Sequence, residues 1–192
     1  MKIIVSCHCD TVFRDPYCSF KQGILRGACD NFASILAVAT ILDDPMWLEP
    51  NIELQLTEDE EMYMDGAKSI VKKNNPKDTL IIVMDVTNAK IKGSMHFTIE
   101  NFHEVRESEI RKSLKDFKGQ YRLVPNGTES EAWIYAEHGF SVIELDIPVA
   151  GGLHSLDSTS KRIDQSVASK ALLAMIYYFK DKEISAIRSE DN

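Results

Sequence analysis

The chain has 192 residues, of which 44% are hydrophobic and 27% charged, and its formal net charge is -8. This length and composition favour one soluble domain with a sizeable core. The acidic excess disfavours nucleic acid and anionic membranes as partners, no apolar run reaches membrane-spanning length, and no signal-peptide pattern precedes the first strand, so we expect a cytoplasmic protein.

The first predicted strand is Lys2–Val5, an uninterrupted apolar run rich in β-branched residues. Just beyond it, His8 and Asp10 lie two positions apart, so they project from the same face of an extended backbone. A carboxylate placed there can accept the second ring N–H of a histidine that binds a metal. A polar loop then leads to a short extended piece and an apolar helix, which are predicted at Gly23–Gly27 and Phe32–Leu42.

The rest of the chain alternates predicted strands and helices. The strands are expected at 51–56, 80–84, 91–99 and 140–145, and the helices at 66–73, 104–117, 129–138 and 164–180. This alternation implies a mainly parallel sheet covered on both faces. We therefore predict one α/β domain over residues 1–182, a three-layer sandwich with a mixed, mainly parallel sheet, followed by a polar, fraying tail at 183–192.

The four cysteines all lie within the first 29 residues: Cys7, Cys9, Cys18 and Cys29. A disulfide framework would normally spread through a small secreted chain, so we expect reduced, buried thiols. The alternative, a structural zinc site, lacks the usual Cys-x-x-Cys spacing. Cys7 and Cys9 are expected to face away from His8 into apolar surroundings.

Imidazole and carboxylate side chains recur where the predicted strands end, and ligands bind at that edge of such sheets. Two imidazoles and three carboxylates suit a pair of zinc-like cations, with one carboxylate bridging both. Two adjacent glutamates in an extended chain cannot point the same way, which favours one as a metal ligand and its neighbour as general base. The candidate residues are His8, Asp30, Glu60, Glu61, Asp85 and His154.

Each candidate also has a simple structural explanation when it is considered alone. Asp30 and Asn31 could cap a helix, and the acidic run that contains Glu60 could be a solvated loop. Gly151 and Gly152 could form an ordinary turn before His154. Their joint occurrence at successive strand ends favours the metal site.

Five short motifs follow one another along the chain: His8-x-Asp10, Gly27-x-x-Asp30-Asn31, Glu60-Glu61, Asp85 and His154. This ordered set resembles the co-catalytic dizinc exopeptidase superfamily, which includes leucyl-type and tetrahedral aminopeptidases, peptidase T and the acetylornithine deacetylase group. The resemblance runs from Ile3 to about Ile163, which is most of the chain.

The resemblance implies a role for each matched residue. One metal would be held by His8, Asp30 and Asp85, and the other by Asp30, Glu61 and His154, with Asp30 bridging. Asp10 would orient His8, Glu60 would be the general base of amide hydrolysis, and the Asp30–Asn31 peptide bond would be cis. The implied cofactors are two divalent metal ions, zinc first, with cobalt or manganese as alternatives.

The chain departs from the family pattern in two ways. Family members usually carry several dozen residues before the His-x-Asp strand, so we expect the sheet to lack strands here or a partner to cover its edge. The interval from Asp85 to His154 is too short for the inserted domain of the deacetylase group, which favours the aminopeptidase branch. Arg106 and Arg122 lie in that interval as candidates for a substrate carboxylate, and Phe32 stands where the family usually has glycine.

Three functions follow from this pattern. The first is a metal-dependent aminopeptidase or related exopeptidase acting on short peptides, and the second is a deacylase of N-acyl amino acids. The third is a catalytically silent relative that serves as a binding or assembly subunit, against which the presence of Glu60 argues. His96, His103 and Tyr121 are further candidates for substrate contact, and an exposed sheet edge predicts a homo-oligomer.

Overall fold

A computed structural model describes residues 1–88, 95–127 and 129–188. The strands of this part of the chain are β1 Lys2–His8, β2 Cys18–Lys21, β3 Ile24–Gly27, β4 Ile52–Thr57, β5 Thr79–Thr87, β6 Phe97–His103, β7 Tyr121–Val124, β8 Ser141–Pro148 and β9 Thr159–Lys161. The α-helices are α1 Cys29–Ala39, α2 Asp65–Lys73, α3 Glu107–Ser113, α4 Glu131–Glu137 and α5 Arg162–Phe179. The predicted strand at 91–99 begins outside the described residues and appears as β6.

Six of the strands form a mixed sheet in the order β4-β1-β5-β8-β6-β7. The first four are mutually parallel, β6 runs antiparallel to β8, and β7 is parallel to β6. Both faces are covered by helices, so the central strands are apolar at successive positions rather than alternating. The predicted three-layer α/β fold is confirmed.

Side chains of β5 show how the sheet divides the core. Leu80, Ile82 and Met84 belong to the apolar cluster on the side of α1 and α5, whereas Ile81 and Val83 belong to the cluster on the side of α2 and α4. This alternation follows from the two-residue repeat of a strand. Within the described residues, no helix combines the length and apolar character needed to cross a bilayer.

A second, antiparallel sheet has the strand order β2-β3-β9. The sequence interpretation treated residues 13–21 as a loop, and the structure shows that their last four form β2. All four residues of β2 are exposed and β9 is only three residues long, so neither leaves an apolar periodicity to detect. β7 was missed for the same reason, because it is short and only half-buried.

The prediction of a polar, fraying tail is wrong for its first residues. Ile184–Ala186 form a 3-10 helix and Ile187 is fully buried against the core. The Arg188 guanidinium donates hydrogen bonds of 2.8 Å to the carbonyl oxygens of Pro76 and Gly139. This end of the chain is therefore part of the packed fold.

Replacing Glu109 by Gln should lower the free energy of unfolding by about 1–2 kcal/mol at pH 7. The buried Glu109 carboxylate accepts hydrogen bonds from Lys112 Nζ at 2.6 Å and Tyr178 Oη at 2.7 Å, and these contacts, the lysine first, lower its pKa from 4.5 to about 2. Its ionised form is therefore preferred in the folded state, so the stabilisation is complete above pH 4.5 and is lost as the pH falls towards 2.

Urea denaturation at several pH values measures this effect. The difference in the free energy of unfolding between wild type and Glu109→Gln should shrink progressively below pH 4.5. Glu107→Gln is the control, since Glu107 pairs with Arg111 on the exposed face of the same helix and should change stability little at any pH. A difference in unfolding free energy that stayed constant down to pH 2 would contradict the stabilising role of the ionised Glu109 carboxylate.

Candidate metal centre

The candidate residues converge in one cleft of about 370 Å³, beyond the carboxyl ends of the parallel strands. His8 ends β1, Asp85 lies near the end of β5, and Asp30 lies in the first turn of α1. The other members lie in the loops after β4 and β8 and are Glu60, Glu61 and His154. Parallel strands bring these distant segments together because their carboxyl ends share one edge of the sheet.

Asp30 lies between the two histidines. His8 Nε2 lies 3.2 Å from Asp30 Oδ1 and 3.3 Å from Asp85 Oδ1. On the other side, His154 Nε2 lies 3.1 Å from Glu61 Oε2 and 3.6 Å from Asp30 Oδ2. In each of these two groups the ligand-type atoms lie within 4.8 Å of one another. Each group could therefore hold one cation, and Asp30 offers one oxygen to each.

The chemistry of the cleft fits a pair of divalent cations. Asp30 Oδ1 and Glu61 Oε1 are buried carboxylate oxygens that accept no hydrogen bond, which is costly unless a cation compensates them. Among the described residues, no lysine or arginine lines the cleft. Imidazole nitrogen and carboxylate oxygen are ligands that suit zinc and similar metals.

Crowding of these acids shifts the pKa values of the group. Burial and, after it, the Asp85 carboxylate raise the pKa of Glu60 to about 8. Burial also raises the pKa values of Asp85 and Glu61. For His8, burial alone would lower the pKa, but the neighbouring carboxylates, Asp85 foremost, raise it well above the ordinary value. Glu60, Glu61 and Asp85 therefore tend to keep their protons because ionised carboxylates repel one another here, and a bound divalent cation would relieve this repulsion and favour their ionised forms.

Asp10 joins His8 to the loop that carries the two glutamates. Its Oδ1 lies 3.5 Å from His8 Nδ1, and its carboxylate accepts hydrogen bonds from the backbone N–H groups of Glu60 at 3.2 Å and Glu61 at 3.3 Å. Burial opposes ionisation, but the His8 contact and these two amides lower the pKa of Asp10 to about 2. The link to the glutamate loop leaves no trace in the sequence, because the donors are backbone atoms.

The turn before Asp30 depends on a close backbone approach. Gly27 has a φ of 128°, and a Cβ atom built there would lie 2.1 Å from the carbonyl oxygen of Tyr17. Ser158, which sequence reasoning did not single out, donates from Oγ to the Gly27 carbonyl oxygen at 2.5 Å. The peptide bond from Asp30 to Asn31 is cis, as the resemblance implies, and regular helical geometry begins after Asn31.

All four cysteines are free thiols, but only two of them are buried. Cys7 lies against Asn31 Nδ2 at 3.6 Å, as expected for a packed thiol. Cys9 and Cys18 are exposed, so the expectation of buried thiols is wrong for both, and the expectation of apolar surroundings is wrong for Cys9. The groups of ligand-type residues found in the described part of the chain contain no cysteine, so the zinc-cysteine alternative gains no support.

Five further residues line the cleft and were not found from the sequence: Met62, Met64, Val86, Glu129 and Leu153. Four are apolar, and the fifth is an exposed carboxylate that forms no ion pair with any described residue. Met62 directly follows the Glu60–Glu61 pair and Met64 lies two residues further on, and this proximity is the one sequence signal that could have indicated them. Glu129 precedes α4 and only the fold brings it to the cleft.

None of the other residues suggested for substrate contact lines this cleft. His96 is paired with Asp164, the two atoms Nδ1 and Oδ1 being 2.7 Å apart, and Tyr121 stacks on Phe97 with 5.4 Å between ring centroids. The remaining three lie in β6, in β7 and at the start of α3: His103, Arg122 and Arg106. Their positions could not be inferred from spacing along the chain, because the order of the strands in the sheet places β6 and β7 on the far side from β1, away from the cleft.

Solved structures of aminopeptidases share this fold. The aminopeptidase PepT from Bacillus cereus is 10% identical with a TM-score of 0.67, and the match covers 92% of this chain and 80% of that one. The TET1 peptidase of Pyrococcus horikoshii is 18% identical with a TM-score of 0.64, covering 85% and 53%. An aminopeptidase of the archaeon Desulfurococcus kamchatkensis is 16% identical with a TM-score of 0.65, covering 92% and 55%.

This chain spans about half the length of the two archaeal proteins. A comparison with curated protein sequences gives no significant match. The model of peptidase family M28, in contrast, matches residues 1–179, the whole segment that carries the sheet and the cleft. On this match over nearly its full length, the chain belongs to peptidase family M28.

Proposed function

We propose that this chain is a metal-dependent exopeptidase that removes the amino-terminal residue of short peptides. The observation that carries the proposal is the position of Asp30, whose two oxygens face two separate histidine-carboxylate groups. In this proposal one divalent cation is held by His8, Asp30 and Asp85, and the other by Asp30, Glu61 and His154. Zinc suits this ligand set best, with cobalt or manganese as alternatives.

Glu60 is the general base in this proposal. Bound cations would polarise the amide carbonyl and acidify a water molecule. The Glu60 carboxylate lines the cleft beside the two groups, where it accepts the proton of the attacking water and passes it to the leaving amine. Asp10 is a positioning residue, because it contacts His8 and holds the backbone amides of the glutamate pair.

The other walls of the cleft favour a substrate with a free amino group. The carboxylate of Glu129 is available to an α-ammonium group, and the apolar wall suits an apolar side chain. An N-acyl amino acid would instead present a carboxylate, for which no described residue of the cleft offers a positive charge. Aminopeptidase activity is therefore better supported than the deacylase alternative.

Hydrolysis assays on metal-loaded protein test the proposal directly. L-leucyl-p-nitroanilide should be cleaved after zinc, cobalt or manganese is added, and excess chelator should abolish the activity. Release of acetate from N-acetyl-L-leucine without aminoacyl hydrolysis would favour the deacylase. Tight metal uptake with neither reaction would favour a binding or assembly subunit.

Replacing Glu129 by Gln should raise KM for L-leucyl-p-nitroanilide about tenfold and change kcat much less. The reason is that the carboxylate acceptor of the ammonium group, in a contact worth about 1.5–3 kcal/mol, is replaced by an uncharged amide oxygen that binds the cation more weakly. Steady-state kinetics separate the two constants. Glu137→Gln is the matched control, since it removes the same charge from the exposed far end of α4. Equal KM values for the Glu129 variant and wild type would exclude this role.

A further inference from the structure

Strand β4 is an open edge of the main sheet. Ile3 N donates to Asn51 O and Cys9 N to Thr57 O, both at 2.8 Å, so the odd-numbered residues of this segment direct their backbone groups towards β1. In a parallel ladder the intervening residues point the other way. The N–H and C=O groups of Leu54 and Leu56 therefore point outward, and no described residue pairs with them. An edge of this kind is a template for another strand.

Side chains on the two faces of β4 differ in character. Ile52 and Leu54 pack on the core beneath α1, whereas Leu56, next on the same face, is 58% exposed. On the opposite face Glu53 and Gln55 line a groove of about 460 Å³ between β4 and α2. An added strand would cover Leu56 on one face and close this groove on the other.

Helix α2 carries opposite charges at its two ends, and both ends border this groove. Asp65 lies in its first turn and Lys73 in its last. Gly66 N donates to Glu58 O at 3.1 Å near the end of β4, and Asn74 Oδ1 accepts from Lys2 Nζ at 2.8 Å near the start of β1. The helix therefore runs antiparallel to β4, with its acidic end near the carboxyl end of the strand.

We propose that two copies of this chain pair through β4 in antiparallel orientation, with Leu54 on the two-fold axis. This contact is isologous and joins the two six-stranded sheets into one continuous sheet. In this register Ile52 of one copy lies opposite Leu56 of the other, and Glu53 lies opposite Gln55, so no like charges meet along the strand. The edge of the sheet is thus self-complementary.

The helices flanking the new strand pair complement each other as well. The two-fold axis makes the two α2 helices antiparallel on the same face of the joined sheet. Asp65 of each copy then faces Lys73 of the other, so both charge pairs are favourable. The dipoles of the two helices also point in opposite directions, which is their favourable arrangement. A second copy of this chain therefore fits the edge in both shape and charge.

The mass in solution tests the proposal. Sedimentation of the full chain should show twice the monomer mass in the micromolar range, with a dissociation constant that Leu56→Lys raises at least fiftyfold, because a charged residue would lie in the new strand pair. Ile163→Lys is the matched control, since Ile163 is a 54% exposed apolar residue at the start of α5 rather than on the β4 edge, and it should dissociate like wild type. A monomeric wild type at 200 μM, or a Leu56→Lys dimer of unchanged affinity, would overturn the proposal.

The register is tested by charge exchange and by crosslinking. Lys73→Glu should weaken the dimer. The double variant Asp65→Lys, Lys73→Glu should restore it, because opposite charges would again face each other across the interface. Leu54→Cys should form an intermolecular disulfide on mild oxidation, well above the background from the exposed wild-type Cys9 and Cys18. Absence of both effects in a dimeric wild type would place the interface elsewhere. None of these readouts depends on metal or on hydrolysis, so they stand or fall separately from the proposed peptidase activity.

Discussion

Replacing Glu60 by Gln is expected to lower kcat for aminoacyl-p-nitroanilides by about 10²–10⁴-fold while both cations stay bound. Gln has almost the same size and still occupies the cleft, but its amide cannot accept the proton of water. Glu60 lies beside Glu61 without belonging to either of the two groups that could hold a metal ion, so metal content should be unchanged. The expected signature is thus loss of turnover with intact stoichiometry.

Steady-state kinetics and elemental analysis of the same preparation check this result. Glu58→Gln serves as the control, because Glu58 is an exposed carboxylate of the same loop and does not line the cleft. Its kcat should stay within about twofold of wild type. Full activity of the Glu60 variant would show that another group accepts the proton, and loss of a cation would show that Glu60 is itself a ligand.

Replacing Asp30 by Asn should remove both cations and all measurable hydrolysis. Asp30 is the one residue shared by the two groups of ligand-type side chains, so the loss of its charge weakens both sites together. Asp85→Asn should instead affect only the cation bound with His8, since Asp85 belongs to one group. Two variants of nearly the same size thus distinguish a bridging carboxylate from a terminal one.

Metal titration calorimetry gives the stoichiometry of each variant, and the rise in melting temperature on adding zinc gives a second readout. Wild type should bind two cations per chain, and Asp85→Asn should bind one with high affinity. Asp30→Asn should bind no cation more tightly than the micromolar range. Asp43→Asn is the control, because Asp43 is exposed at the end of α1. Two tight sites in Asp30→Asn would exclude the bridging role.

Local sequence patterns were sufficient for the central strands of the main sheet. β1 and β5 each contain a continuous apolar run, as a strand buried on both faces requires, so their burial in a covered sheet followed from the local sequence. The positions of His8 and Asp85 at one sheet edge followed in turn, because parallel strands end on the same side. The structure brings both to within 3.3 Å of each other, His8 Nε2 to Asp85 Oδ1.

Elements without apolar periodicity were missed. β2 is exposed throughout, and β9 is three residues long, so only their pairing with β3 makes them strands. The buried Ile187 was assigned to a polar tail, because one apolar residue among charged ones gives no signal. In these cases the partner strand or the core supplies the information that the local sequence lacks.

The sequence by itself determined the fold class, the family resemblance and the residue types of the cleft, since these depend on hydrophobic periodicity and on short motifs in a fixed order. Only the tertiary structure decided that Asp30 faces two histidines, that Asp10 holds the amides of the glutamate pair, and that Glu129 reaches the same cleft. It also decided that β4, which pairs with β1 on one side, has no strand on its other side among the described residues. The physical reason is that contacts between residues distant along the chain depend on where whole elements pack, and no single segment encodes that.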